Sequence, residues 1–169
     1  MKKVRNRNWF VQVQKEVFMC MVAFLSFSYP RKKKAQKQIG YLMSFPRNDN
    51  GFLLKMMNEM NDTKIILFYE KKCSKEAEFF SGKGIETYSL EPSFLFFRVV
   101  IFKLCRSKLL ICDNYYAILG ALQLDKKSKV IQLWHANGAI KCFGWEDKQT
   151  NKRTWLDQKR LSKVYKRFD

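Results

Sequence analysis

The sequence predicts an α/β fold in which a largely parallel β-sheet is covered by helices on both faces. Five short apolar runs alternate with segments of helical periodicity, an alternation typical of strand–helix–strand units. A length of 169 residues is enough for one domain with a sizeable core. Hydrophobic residues make up 47% and aromatic residues 15% of the chain, which indicates a globular rather than a disordered protein.

The five apolar runs are the predicted strands. They lie at residues 39–45, 64–69, 85–90, 108–112 and 129–134. The second run, with Ile65, Ile66, Leu67 and Phe68 in succession, is typical of a strand buried on both faces. Because a helical segment separates each strand from the next, we expect the strands to run parallel.

The connecting segments carry helix signals. Leu53, Leu54, Met56, Met57 and Met60 recur at helical spacing in the first of them. The following helices have serine caps, and one of them ends at a Gly-Lys-Gly break. Helices are predicted at residues 51–60, 74–81, 93–105, 115–124 and 154–168, the last being basic and amphipathic.

Residues 1–38 differ from the rest and form a basic and apolar N-terminal segment. An apolar run at residues 17–29 lies between a basic start and the cluster at residues 31–34. A spanning helix needs about 20 apolar residues, so this run is short, and no small-residue cleavage site follows it. We expect an interfacial helix that docks on a membrane. The alternative is a helix packed on the domain formed by residues 39–169.

The net charge of +18 is concentrated at the two ends of the chain. Residues 1–40 carry +9, residues 41–147 carry +3 and residues 148–169 carry +6. Basic ends suit an anionic membrane surface, which we favour as a partner. A solvated surface is a second interpretation; nucleic acid is a third and is not expected.

Several classes of site are excluded by composition. The five cysteines show no C-x-x-C spacing, and with one histidine there is no finger-type zinc site. The pattern fits buried thiols in a reducing cytosol. Neither a dinucleotide fingerprint nor a P-loop occurs, and no acidic cluster indicates a metal centre. No cofactor and no metal are therefore expected.

The main candidate for chemistry is His135, the only histidine in the chain. It follows the last predicted strand, and open α/β sheets present reactive groups at the carboxyl ends of their strands. Gly138 would allow the loop to approach a substrate, and Lys141 would bind an anionic group. A structural histidine, a turn glycine and a solvated lysine are the alternatives. Trp134 is expected in the core or as a cleft wall.

Polar residues after two other strands are further candidates. Ser44, at the end of the first predicted strand, and Asn48, Asp49 and Asn50 in the loop after it lie on the expected cleft side of the sheet. Asn114, with Asp113 before it, follows the fourth strand at the same edge. We expect these residues to bind substrate, although Asp113 and Asn114 could instead cap the next helix.

Three motifs in order carry a family resemblance. The stretch Trp-His-Ala-Asn-Gly-Ala-Ile-Lys at 134–141, the first strand with its loop at 41–51, and the strand ending in Asp-Asn at 110–116 resemble the CDP-glycerol glycerophosphotransferases. These enzymes build the glycerol-phosphate linkage and polymer of wall teichoic acid in Gram-positive bacteria. The first motif is most similar to the priming type. The resemblance covers residues from about 39 to 169.

The resemblance implies the Rossmann-like, acceptor-side N-terminal half of a GT-B fold. It implies that His135 is the catalytic base, taking a proton from an acceptor hydroxyl as that hydroxyl attacks the β-phosphate of CDP-glycerol, with release of CMP. The implied acceptor is an undecaprenyl-diphosphate-linked disaccharide at the cytoplasmic face of the membrane, where the enzyme binds peripherally. Nothing in the sequence matches the family's C-terminal donor domain, so we expect the chain alone to have little transferase activity.

Two alternatives to this function stay open. The chain could resemble the polymerase type, which extends an existing poly(glycerol phosphate) chain. It could also be a non-catalytic basic module that binds anionic membrane or nucleic acid.

Overall fold

The computed structural model describes residues 2–28, 36–46, 50–60, 62–133, 150 and 152–168 of the chain. Within these residues, an open sheet of five parallel strands is the centre of the fold, as the sequence predicts. The strands are β1 (Gln36–Met43), β2 (Lys64–Tyr69), β3 (Glu86–Ser89), β4 (Ser107–Cys112) and β5 (Lys129–Gln132). Their order across the sheet is β3-β2-β1-β4-β5.

This strand order makes β1 the centre of a Rossmann-like arrangement. The chain moves outwards from β1 through β2 to β3, then returns to the other side of β1 and continues through β4 to β5. The direction of winding therefore reverses between β1 and β4. Ligands of open α/β sheets bind outside the carboxyl ends of the strands at such a reversal.

The helices agree with the prediction in part. They are α1 (Lys2–Ser28), α2 (Asn50–Glu59), α3 (Ser74–Ser81), α4 (Ile101–Arg106) and α5 (Trp155–Tyr165). Short 3₁₀ turns lie at Lys71–Cys73 and Ala117–Gly120, and a π-helical turn at Phe96–Val100 leads into α4. The predicted bounds of β2 and α3 are confirmed.

The predicted helix at residues 115–124 is wrong, because only the 3₁₀ turn Ala117–Gly120 forms there. The buried residues Ile118, Leu119, Ala121 and Leu122 have the i, i+1, i+3, i+4 spacing of one helix face, which is why the sequence suggests a helix here. Gly120 also lies close to α5, since a Cβ atom there would come 3.1 Å from Lys163 Cβ. Gly120 in the middle of the segment disfavours a continuous helix, because glycine has a low helix propensity.

Two apolar layers cover the two faces of the sheet. On one face, α2 and α3 pack over residues such as Tyr41 and Leu67. On the other, α1, α4, the second 3₁₀ turn and α5 pack over residues such as Leu42 and Leu110. Gly40 of β1 permits close packing, because a Cβ atom there would come 2.7 Å from Leu110 Cδ2 and 2.9 Å from Phe68 Cε2.

Helix α1 is longer than the apolar run that the sequence suggests. Its stretch Trp9–Ser28 is long enough and apolar enough to cross a membrane, judged by length and composition. One face contacts the domain: Val22 and Ser26 are buried, and the Phe18 ring stacks on Phe96 with 5.7 Å between centroids. The opposite face exposes several large apolar side chains, which are Trp9, Phe10, Val13, Val17, Met21, Phe24 and Phe27.

Polar contacts also join α1 to α5. Arg160 of α5, whose side chain is 7% exposed, contacts Glu16 and Gln12 of α1 and lies 2.5 Å from Asp157 of its own helix. Gln12 donates to Asp157 at 2.7 Å. A buried guanidinium needs such partners, so the inner face of α1 is tied to the domain as the alternative interpretation of this segment predicts.

Candidate functional site

The carboxyl ends of the strands meet along one edge of the sheet. Backbone hydrogen bonds continue the ladder there: Glu70 N donates to Met43 O at 3.0 Å and Leu90 N to Tyr69 O at 2.8 Å. On the other side of β1, Asp113 N donates to Leu42 O at 3.2 Å. The residues that directly follow β1, β2, β3 and β4 are therefore held side by side.

Asp113 is the organising residue of this edge. Its carboxylate is fully buried and accepts hydrogen bonds from Ser44 N at 2.7 Å, Ser44 Oγ at 3.0 Å and Phe45 N at 2.8 Å. A buried carboxylate needs such donors. The bonds fasten the chain after β4 to the chain after β1, across the point where the winding reverses. Asp113 thus positions the first loop and does not cap a following helix.

Tyr116 completes this cluster from the other side. Its hydroxyl donates to Asp113 Oδ1 at 3.0 Å, and its ring is buried. Burial, reinforced by the negative charge of Asp113, raises the pKa of Tyr116 well above its ordinary value. The phenol therefore stays protonated and remains a donor to the carboxylate.

The candidate residues that the structure describes have different environments. Ser44 is fully buried and both its backbone and its hydroxyl bond Asp113, an arrangement suited to positioning. Asn50 is the first residue of α2, and its Oδ1 is buried without a hydrogen-bond partner in the described part of the chain. Asn114 Oδ1 accepts from Tyr115 N at 2.8 Å. Binding of substrate by these residues stays a prediction.

The other candidates lie outside the residues that the structure describes. They are Asn48, Asp49, Trp134, His135, Gly138 and Lys141. The last described residue before His135 is Leu133, whose backbone N donates to Cys112 O at 2.8 Å and extends the β4–β5 ladder. The roles of these residues stay predictions.

A pocket of about 230 Å³ opens at the same edge, and we call it the Tyr116 pocket. It is lined by Phe18, Glu70, Leu90, Glu91, Phe96, Tyr115, Tyr116, Ala117 and Ile118. None of these residues is predicted as a site residue from the sequence. A signal was available, because Glu70, Glu91 and the Tyr115–Tyr116 pair each closely follow a predicted strand. Phe18 carried no such signal.

Thiol and metal chemistry find no support among the described residues. No group of three or more His, Cys, Asp or Glu side chains that could hold a metal occurs in that part of the chain. Burial raises the pKa of Cys105 to about 12 and that of Cys112 to about 12, with Asp113 adding to the effect at Cys112. These thiols stay protonated at neutral pH and are poor nucleophiles.

Curated relatives agree with the sequence motifs. The chain is 33% identical to the teichoic acid glycerol-phosphate primase of Bacillus subtilis (strain 168) over 137 residues, which are 80% of this chain and 35% of the primase. It is 26% identical over 155 residues to the primase of the same name from Staphylococcus aureus, covering 92% of this chain and 41% of that protein.

A shorter match concerns a polymerase. The chain is 44% identical over 39 residues to the teichoic acid poly(ribitol-phosphate) polymerase of Bacillus spizizenii, covering 23% of this chain and 6% of the polymerase. No protein-family model and no solved structure matches the chain significantly. The chain spans 35% and 41% of the length of the two primases described above.

Proposed function

The chain belongs to the CDP-glycerol glycerophosphotransferase family, and we propose that it acts in teichoic acid biosynthesis as the acceptor side of a glycerol-phosphate transferase. The reaction is transfer of glycerol phosphate from CDP-glycerol to a hydroxyl of an undecaprenyl-diphosphate-linked disaccharide. The observation that carries this proposal is the 33% identity to a glycerol-phosphate primase over 80% of the chain.

In the proposed reaction His135 is the general base. The acceptor hydroxyl oxygen forms a bond to the β-phosphorus of CDP-glycerol, and the bond from that phosphorus to the bridging oxygen breaks. The proton of the hydroxyl passes to the neutral imidazole, and CMP leaves with the electron pair of the broken bond. An imidazole is suited to this step because its ordinary pKa lies near neutral pH.

Phosphate groups in the site need cations and backbone donors. We propose that Lys141 binds a phosphate oxygen and that Gly138 lets the loop approach it. Asn48, Asp49, Asn50 and Asn114 would then contact the hydroxyl groups of the substrates. The Oδ1 of Asn50, which has no hydrogen-bond partner among the described residues, supports this assignment, since a buried acceptor of this kind is suited to receive a hydrogen bond from a ligand.

We propose that the protein binds the cytoplasmic face of the membrane peripherally through α1. Trp9, Phe24 and Phe27 are 62–70% exposed on its outer face, and the flanking sequence is basic. If α1 crossed the membrane, it would have to leave the domain. The Arg160 guanidinium would then lose its contacts with Glu16 and Gln12. A helix lying in the interface keeps those contacts.

Release of CMP from CDP-glycerol, in the presence of the lipid-linked disaccharide, tests this function. The proteins compared are this chain, a form extended to the full length of the primases, its His135→Ala variant and a control Glu78→Ala variant on the exposed face of α3. We expect the extended form and the control to release CMP and the His135→Ala variant to be slower by at least about 100-fold.

Three results would each contradict part or all of the proposal. Unchanged release by the folded His135→Ala variant would exclude the general-base role. Release that requires a glycerol-phosphate-primed acceptor would indicate the polymerase type instead. If no folded form releases CMP but the chain still binds anionic vesicles, a non-catalytic membrane module is the better description.

A further inference from the structure

We propose that the Tyr116 pocket binds the sugar ring of a neutral carbohydrate, namely the saccharide part of the acceptor. This inference rests on the proposed function for the identity of the substrate, and it assigns that substrate a site. The pocket lies at the carboxyl edge of the sheet, between α1 and the chain segments that follow β2, β3 and β4.

The lining of the pocket combines two chemistries. Phe18 and Tyr115 are half-buried and supply aromatic surface on which the C–H faces of a sugar can pack, whereas Phe96 and Tyr116 are buried in the wall. Glu70 and Glu91 supply carboxylate oxygens, which accept hydrogen bonds from sugar hydroxyls more strongly than neutral acceptors do. A mostly apolar wall with a few polar groups is typical of small-molecule sites.

The charges in the pocket favour a neutral ligand over a phosphate. Among the lining residues the only ionic groups are the carboxylates of Glu70 and Glu91. The charge of Glu70 is balanced by Lys72, whose Nζ lies 3.2 Å from the Glu70 carboxylate. No described cation forms an ion pair with Glu91. An anionic group in contact with Glu91 would be repelled by its carboxylate, because like charges at short range disfavour binding.

The pocket walls are held before any ligand arrives. The Phe18 ring stacks on Phe96, and the Tyr116 hydroxyl is anchored on the buried Asp113 carboxylate. Asp113 in turn holds the backbone after β1 through Ser44 and Phe45. A rigid pocket loses little conformational entropy on binding. The same contacts fix the pocket relative to the strand ends where the candidate polar residues lie.

Phe18 places one wall of the pocket on α1, the helix that we propose binds the membrane. Phe18 belongs to α1, whose opposite face exposes Val17, Met21 and Phe24. A lipid-linked saccharide has an apolar chain and a hydroxylated head, so it needs neighbouring surfaces of both kinds. Helix α1 supplies the apolar surface and one wall of the pocket.

Titration of the isotope-labelled chain with chitobiose, a neutral N-acetylated disaccharide, tests the proposal by NMR. We expect saturable shifts at the amides of Glu70, Glu91 and Tyr115. The Glu91→Ala and Phe18→Leu variants should bind at least about tenfold more weakly, since each removes one of the two chemistries. Glu78→Ala removes an exposed glutamate from α3 and should bind like the unaltered chain.

Glycerol 3-phosphate, titrated in parallel, should leave the amides of the pocket unshifted. The proposal is overturned if chitobiose produces no saturable shifts, if its shifts lie elsewhere, or if folded Glu91→Ala and Phe18→Leu variants bind as well as Glu78→Ala. It is also overturned if glycerol 3-phosphate occupies the pocket. If chitobiose binds in the pocket but no extended form releases CMP, the sugar site is supported and only the transferase function is contradicted.

Discussion

The buried carboxylate of Asp113, which follows β4, accepts hydrogen bonds from both the backbone amide and the hydroxyl of Ser44, which follows β1, at 2.7 and 3.0 Å. The two residues are 69 positions apart in the sequence. Their contact joins the two halves of the sheet where the winding reverses, and it supports the edge that carries the candidate site.

Replacing Asp113 should destabilise the protein more than replacing its partner. Asp113→Ala leaves Ser44 N, Phe45 N and the Tyr116 hydroxyl without their acceptor, so we expect a loss of about 2–4 kcal/mol in the free energy of unfolding. Ser44→Ala removes one donor and should cost about 1–2 kcal/mol. Urea denaturation measures both; equal losses would mean that Asp113 has no special role.

A methyl group at Gly40 should strain the centre of the sheet. Because a Cβ atom there would come 2.7 Å from Leu110 Cδ2 and 2.9 Å from Phe68 Cε2, Gly40→Ala should cost about 1–3 kcal/mol. Gly51→Ala is the matched control, since nothing lies within 4 Å of its Cβ position in α2. Melting temperatures of the two variants provide the comparison, and a Gly40→Ala variant as stable as Gly51→Ala would contradict the close packing.

Glu86 should make stability depend on pH in the acidic range. Hydrogen bonds from Lys103 and then Lys64 lower the pKa of Glu86 from 4.5 to about 2. Since the folded-state pKa is the lower one, the stabilisation is complete above about pH 4.5 and is lost as the pH falls towards 2. Its side chain is 39% exposed, so solvent screening limits the effect to about 1 kcal/mol.

Unfolding measured between pH 6 and pH 2 separates this contribution from the rest. The Glu86→Gln variant should lose stability at neutral pH and show a flatter acid dependence than the unaltered chain. Glu59→Gln is the control, because Glu59 lies 3.8 Å from Lys55 on an exposed helix face. Parallel pH curves for the unaltered chain and Glu86→Gln would count against the assignment.

Arg160 should be needed to hold α1 on the domain. Arg160→Met keeps the apolar stem but leaves Glu16 without its cation and Asp157 with Lys15 alone, and both carboxylates are partly screened by solvent. We expect a loss of about 1–3 kcal/mol and faster amide hydrogen exchange in α1. Lys159→Met, at an exposed position of the same helix, should leave exchange in α1 unchanged. Slow exchange in both variants would show that apolar contacts alone hold the helix.

The outer face of α1 should control membrane binding. Replacing Phe24 and Phe27 by serine removes two rings that are 70% and 62% exposed, so binding to vesicles containing phosphatidylglycerol should weaken at least about tenfold. Phe79→Ser, on the exposed face of α3, is the control. Co-sedimentation at low and high salt checks the result; equal binding to neutral phosphatidylcholine vesicles would exclude the electrostatic part.

The strands could be predicted because burial on both faces leaves a continuous apolar run, and β2 has the predicted bounds. The connection after β4 could not, because its apolar residues have helix-like spacing but form only a 3₁₀ turn that packs against α5. The sequence predicts that Asp113 follows a strand. Its hydrogen bonds to Ser44 could not be predicted, because the two residues are far apart in the sequence. Phe18 and Glu91 line the same pocket only because the tertiary fold brings them together.

The central position of β1 has a consequence for synthesis on the ribosome. β1 emerges first among the strands, and β2 can pair with one of its edges as soon as it has been made. The other edge of β1 and the Ser44 amide have no partner until β4 and Asp113 have been made. At about 5–20 residues per second, the intervening 69 residues take about 3–14 s to translate. During that interval the nascent chain presents an open apolar strand edge, the kind of surface that cellular chaperones shield.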